Sequence, residues 1–216
     1  MSRKHRVLTF AGTVLLCCAP PSFCQENPIK GSPVKGTAEL AFATGALKNS
    51  PPASQASQSY WDLRGISRRG YGFEFKGGAL FYRLLTLGGN VGLLLHRDKY
   101  GSTVATTGGV KGTSVTSSYF SLYAGGRTPP LALSKEKPWY FTAGGDVGRS
   151  WAGSLKKSVG NCTNCGESTV NLVGGYYVEP SVKFYNASGL GFGFGYRIYS
   201  GKADFRNMLL VKVSWN

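Results

Sequence analysis

The sequence predicts an all-β fold, an eight-stranded antiparallel up-and-down transmembrane β-barrel, and three observations carry that expectation. The first is a period-two alternation, clearest at Leu190-Gly191-Phe192-Gly193-Phe194-Gly195-Tyr196-Arg197-Ile198, with one face large and apolar and the other glycine or charge. In a water-soluble sandwich the second face would be bulky and polar. Glycine there suits a crowded concave interior, and large residues outside with small ones inside is the inversion that a closed barrel in lipid requires. The second is composition: 31 glycines with 12 Tyr and 12 Phe in 216 residues make a glycine- and aromatic-rich chain without low complexity. The third is that no stretch beyond the N-terminal leader approaches a spanning helix, so any crossing must be built from strands.

The leader itself comes first. Arg3, Lys4 and Arg6 precede an apolar run from Val7 to Ala19, and Pro20, Pro21 and Ser22-Phe23-Cys24 follow. These are the charged, hydrophobic and small-residue regions of a secretory signal peptide over residues 1–24, cleaved after Cys24. A lipoprotein signal built on Leu15-Leu16-Cys17-Cys18 fits the residues before Cys18 poorly. The leader takes three of the 25 Lys and Arg with it, and against the 10 Asp and Glu this leaves a basic product of formal charge +12. Its length fits one domain.

Residues 25–35, with Pro28, Gly31 and Pro33, read as an irregular lead-in, and residues 36–216 as the barrel. A first strand from Gly36 to Thr44 puts Ala38, Leu40 and Phe42 on one face and Glu39 on the other. A long Pro/Ser/Gln-rich loop follows to Arg69, with Tyr60-Trp61 as an interfacial anchor. The second strand places Tyr71, Phe73, Phe75, Gly77, Ala79 and Phe81 outward and Gly72, Glu74, Lys76 and Gly78 inward. A tight connection at Tyr82–Thr86 leads to the third, with Leu87, Val91, Leu93 and Leu95 outward and Asn90 and His96 inward. After a polar loop the fourth carries Phe120 and Leu122 outward and Ser121, Tyr123 and Arg127 inward.

The fifth strand places Trp139, Phe141 and Val147 outward and Tyr140, Thr142 and Asp146 inward. After the loop from Ala152 to Ser168, the sixth places Val170, Leu172, Tyr176, Val178, Val182 and Phe184 outward and Tyr177, Glu179 and Lys183 inward. Its Pro180 lacks a ladder donor and predicts a bulge or strand end. Asn186–Gly189 turns into the seventh strand, and the eighth presents Leu209, Val211, Val213 and Trp215 opposite Lys212 and Ser214. Long and short connections alternate, so four longer loops share one end.

An even number of strands, each about 9–11 residues long, matches a tilted crossing of the hydrocarbon layer. With the C-terminal alternation Val211-x-Val213-x-Trp215, followed here by Asn216, the mature chain resembles the small eight-stranded outer-membrane barrels of Gram-negative bacteria, the OmpA-like transmembrane domain and its OmpX-like relatives. That resemblance implies residence in the cell outer membrane, contact with its lipid and lipopolysaccharide, handling by the barrel-assembly machinery and long loops facing outside, with any extracellular ligand unspecified. No cofactor and no nucleic-acid partner are expected.

The alternation also sorts the charges. Glu39, Glu74, Asp146 and Glu179 face inward with Lys76, Arg127, Lys183, Arg197 and Lys212, a nearly balanced set able to pair with itself. Eight strands enclose a space just wide enough for side chains to fill, so a salt-bridged plug is expected, against the alternative of a narrow ion-conducting pore. Cys162 and Cys165 in the third long loop read as a local disulfide of an exported protein, since no helix N-terminus is there to activate a thiol and no nearby residues complete a zinc site. No metal site is expected.

His96 is the only histidine left after leader removal and lies near the outer end of its strand. Barrel enzymes that modify lipid A use a histidine with a serine and a carboxylate, but His96 is followed by Arg97-Asp98-Lys99 rather than by a serine two residues on, so a structural histidine is the expectation and no catalytic residue is assigned. A soluble calycin-like barrel would need an apolar interior and a polar exterior, the reverse of the sets above. Asn161-Cys162-Thr163 and Asn186-Ala187-Ser188 match glycosylation sequons and are treated as chance. The outer connections hold twelve basic residues against four acids, and Arg68, Arg69, Lys156 and Lys157 are the expected rim for lipopolysaccharide or another polyanion.

Overall fold

The computed structural model describes residues 33–48, 65–98, 113–133, 139–159 and 168–215. The expected signal peptide, most of the expected lead-in, Tyr60-Trp61 and the Cys162/Cys165 pair lie outside the described residues. The strands are β1 (Val34–Leu47), β2 (Ile66–Phe81), β3 (Leu85–Asp98), β4 (Thr113–Arg127), β5 (Leu131–Ala132), β6 (Trp139–Val159), β7 (Ser168–Asn171), β8 (Gly175–Asn186), β9 (Leu190–Tyr199) and β10 (Phe205–Trp215). β1 begins at Val34, with Val34 and Lys35 paired to Phe81 and Leu80.

Eight of these strands form a ring. β1 pairs with β2, β2 with β3, β3 with β4, β4 with β6, β6 with β8, β8 with β9, β9 with β10, and β10 returns to β1 through Ala38↔Trp215 to Ala46↔Asn207. Every pairing is antiparallel, so the wall is a closed up-and-down barrel with no free edge. β5 adds a short outer pairing to the start of β6, and β7 extends the wall beside its end.

Burial alternates as the pleat demands. Along β9 the pattern is strict, Gly191, Gly193, Gly195, Arg197 and Tyr199 being buried and Leu190, Phe192, Phe194, Tyr196 and Ile198 exposed. The same outward set continues around the ring as Leu40, Phe42, Phe73, Phe75, Leu93, Leu122, Val147, Val211 and Val213, each more than 40% exposed. A continuous apolar belt of this kind is the surface of a barrel solvated by lipid. Trp139, Tyr82 and Trp215 border it at the short-turn end, and Tyr71, Trp151, Tyr176 and Tyr196 towards the long-loop end.

Two bulges break the simple alternation. The register slips between Ser117 and Tyr119 opposite Leu155 and Ala152, so β6 carries an extra residue there. Beyond this bulge the inward parity on β6 switches from Ser150 to Leu155 and Lys157, and the break at 172–174 lets β7 follow. Val170 and Leu172, expected outward, therefore pack inward against Leu155 and its neighbours. A second bulge, between Ile66 and Gly70 opposite Asp98 and His96, sets the outer end of β2. Pro180 produces neither a bulge nor an end: the β8–β9 ladder has Val178↔Ile198 and then Ser181↔Gly195, an interruption in constant register.

The interior also holds more apolar volume than the expected glycine, serine and charge. Leu94, Met208, Leu210 and Phe205 are wholly buried with Tyr119, Tyr177 and Tyr199 in the half of the lumen nearer the long loops. Room comes from glycines: a methyl on Gly92 would overlap the Tyr119 ring, and one on Gly148 the Tyr177 ring.

Candidate functional site

The lumen holds an ion cluster built from seven of the eight wall strands. Glu39 of β1 accepts from Lys183 and, at 3.3 Å, from Arg127, with Lys212 at 3.6 Å. Glu74 of β2 receives a two-pronged contact from Arg197 at 2.6 and 2.8 Å and a third hydrogen bond from the Tyr119 hydroxyl at 2.8 Å. Glu179 of β8 accepts from Arg197 Nε at 2.7 Å, from Lys212 and, at 3.5 Å, from Lys76. Asp146 of β6 accepts from Lys76 and from Thr86 at 3.1 Å. Lys76 lies 4.1 Å from the Tyr123 ring centre and Arg197 4.5 Å from that of Tyr177, so the cations are roofed by aromatic faces.

All nine residues named from the alternation as a lumen set lie in this cluster, and all but Arg127 and Asp146 are almost completely buried. A buried charge is tolerable only when paired and hydrogen-bonded, which is why each carboxylate here holds at least two donors. Five bases face four acids in this cluster, and the side chains of Arg127 and Asp146 are its most exposed, each at 11%. The apolar tier of Tyr119, Tyr199, Phe205 and Met208 sits on the long-loop side, with Phe205 5.6 Å from both tyrosine rings. Tyr119, Tyr199 and Met208 share the inward parity of Tyr123, Arg197 and Lys212, so alternation places them inside as it places the charges, but their meeting in one tier depends on how the strands stagger.

Towards the outer end, His96 bridges two strands. Its Nδ1 is 3.1 Å from the Ser67 carbonyl oxygen and its Nε2 2.9 Å from Ser117 Oγ. A carbonyl only accepts, so Nδ1 donates and Nε2 accepts the Ser117 proton. The histidine thereby ties the β2 bulge to β4, and Ser117 is completely buried beneath it. Among the described residues no group of His, Cys, Asp and Glu could hold a metal ion.

The rim residues divide. Arg68 and Arg69 are exposed, thrown outward by the bulge whose Ser67 Oγ accepts from the Arg69 amide at 3.2 Å. Lys156 is exposed on the outward face of β6. Lys157 is a correction: it is wholly buried and pairs with Asp98 at 2.7 Å, because the β6 bulge turns it into the lumen. Arg97, Lys202 and Arg206 add exposed bases at the same end. The acids described there are engaged: Asp98 holds Lys157, and Asp204 accepts the Val173 amide at 2.6 Å.

No protein-family model matches the chain, and no curated protein matches it in sequence. Among solved structures, similar folds are found in Neisserial surface protein A (NspA), at 11% identity and a TM-score of 0.47 over 85% of this chain and 97% of that one, and in Ail, the attachment invasion locus protein of Yersinia pestis. The Ail structure in complex with the heparin analogue sucrose octasulfate aligns at 12% identity and a TM-score of 0.49 over 83% of this chain and 95% of that one. A further Ail structure aligns at 11% and 0.42. This chain is a small eight-stranded β-barrel. That assignment rests on its own closed ladder, which returns β10 to β1.

Proposed function

We propose that the protein is an outer-membrane barrel of Gram-negative type whose lumen is sealed and whose basic outer rim binds lipopolysaccharide or another polyanion, without catalysing a reaction. The apolar belt and its aromatic borders support membrane residence, and the lumen cluster with its aromatic tier supports a plug rather than a pore. The single observation that carries the binding role is the asymmetry of charge among the described residues at the long-loop end. Arg68, Arg69, Arg97, Lys156, Lys202 and Arg206 are exposed, while Asp98 and Asp204 are already occupied by Lys157 and the Val173 amide. A dense field of one sign attracts anions such as lipopolysaccharide phosphates through charge-assisted hydrogen bonds.

The test is a variant with Arg68, Arg69 and Lys156 replaced by Gln, leaving Lys157 intact because its removal would strand Asp98. Binding of a soluble sulfated polyanion to the refolded barrel should weaken on substitution and fall as salt rises, since exposed charges are screened beyond about 8 Å at physiological ionic strength. An affinity unchanged by the substitutions, or indifferent to salt, would defeat the reading.

A further inference from the structure

The membrane-facing wall carries one arrangement that neither the lumen nor the rim uses. On the outward face of β6, Arg149 lies two residues above Val147 and two below Trp151, and its cross-strand partners are Leu122 on β4 and Tyr176 on β8. None of these four wall neighbours is acidic. The Arg149 guanidinium instead lies 5.2 Å from the Trp151 ring centre and 5.7 Å from that of Tyr176, and Trp151 is stacked on Phe120 at 4.9 Å with an angle of 8° between the rings. Both rings lie within cation–π range of the guanidinium, whose N–H groups can serve a further acceptor.

Position along the wall says where that acceptor is. From Trp139, which borders the belt at the short-turn end, to Arg149 is ten residues of continuous strand. At about 3.3 Å per residue and the usual barrel tilt this is about 25 Å along the axis, the height of the apolar band of such barrels. Arg149 therefore stands at the outer edge of the hydrocarbon, at headgroup level. Tyr176 is fixed there too, since its carbonyl accepts from the Ser200 amide at 2.8 Å and from the Ser200 hydroxyl at 3.2 Å, anchoring it to the turn before β10. Tyr176 is 63% exposed, and its hydroxyl with the indole N–H of Trp151 supplies two neutral donors beside the charged one.

We infer that Arg149, Trp151 and Tyr176 form a lateral site for the phosphate of an outer-leaflet lipid, a lipid A headgroup whose acyl chains run down the wall over Val147 and Leu122. The inference rests on reading the chain as an outer-membrane barrel, but not on the rim. A phosphate fits because three donor-bearing side chains stand together on one face of the wall, the apolar belt below excludes a soluble partner, and an arginine offers a planar, two-pronged edge to phosphate oxygens.

Native mass spectrometry of the barrel released from detergent would test it, with bisphosphorylated lipid A and the same lipid without phosphates as probes. Wild type should retain the bisphosphorylated lipid in preference to the other. Arg149→Gln should lower that retention by about tenfold or more, the scale of a lost charge-assisted hydrogen bond, with Arg149→Lys recovering only part. Because lysine keeps the charge at this position, its partial recovery shows that loss in the Gln variant is not misfolding. The rim variant, with Arg68, Arg69 and Lys156 as Gln, should keep the lipid adduct whether or not it loses soluble polyanion, so the two readings fail separately. Equal retention of both lipids by wild type, or undiminished retention by Arg149→Gln, would overturn the site.

Discussion

Glu179 is the residue on which most of the lumen depends. It accepts from Arg197, Lys212 and Lys76, which arrive from three other strands, and it has no exposed surface. Replacing it by Gln keeps the shape, removes one negative charge and leaves three buried cations under-compensated. Removing one partner of a buried ion group costs about 3–5 kcal/mol, and that loss is expected for Glu179→Gln in urea unfolding from lipid vesicles. A loss below about 1 kcal/mol, the range of exposed pairs, would show that water reaches the cluster. The period of two makes each of these inward positions readable one at a time. It cannot say that Arg197 serves Glu74 and Glu179 together, because that depends on how the tilted strands stagger around the ring.

At the level of single elements, turns and bulges decide more than strand propensity. The β2–β3 hairpin turns through Tyr82 and Arg83, both with positive φ (47° and 62°), closed by the Leu84 amide donating to the Phe81 carbonyl at 3.0 Å. Those dihedrals are the ones that Asn-Gly pairs favour, and a side chain bears a steric cost there. Arg83→Gly is expected to stabilise the barrel by about 1 kcal/mol, read as a higher urea midpoint, because the left-handed conformation costs an L-residue about that much. A lower midpoint would mean that Arg83 contributes a contact outweighing the strain. At the β8–β9 turn Gly189 supplies the positive φ, and Asn186 Oδ1 accepts from the Ser188 amide at 3.0 Å. The sequon there, Asn186-Ala187-Ser188, is thus part of the turn's own hydrogen bonding.

For the whole molecule, closure and filling act together. The ring leaves no edge for aggregation, and its lumen is filled by the ion cluster towards the short turns and by aromatic and aliphatic side chains, with the Lys157–Asp98 pair, towards the long loops. An ion crossing would have to displace paired charges and then pass Leu94, Phe205 and Met208, each no more than 1% exposed. Purified protein in planar bilayers is therefore expected to show no steady conductance steps. Regular nanosiemens-scale openings would contradict the plug.

By itself the sequence determined the strand count, the outward belt and the nine inward charges, because each follows from a local period of two read against the demands of lipid. The tertiary structure decided what depends on register. The β6 bulge between Ala152 and Leu155 inverts every face beyond it, which buries Lys157 against Asp98 and brings Val170 and Leu172 inside. One extra residue is invisible to an alternation rule, since both phases look equally regular on either side of it. The Arg149 clamp was hidden for a related reason. Trp151 lies within reach along the same strand, but Tyr176 reaches the guanidinium only because β8 pairs with β6 at that register, a fact of closure rather than of spacing.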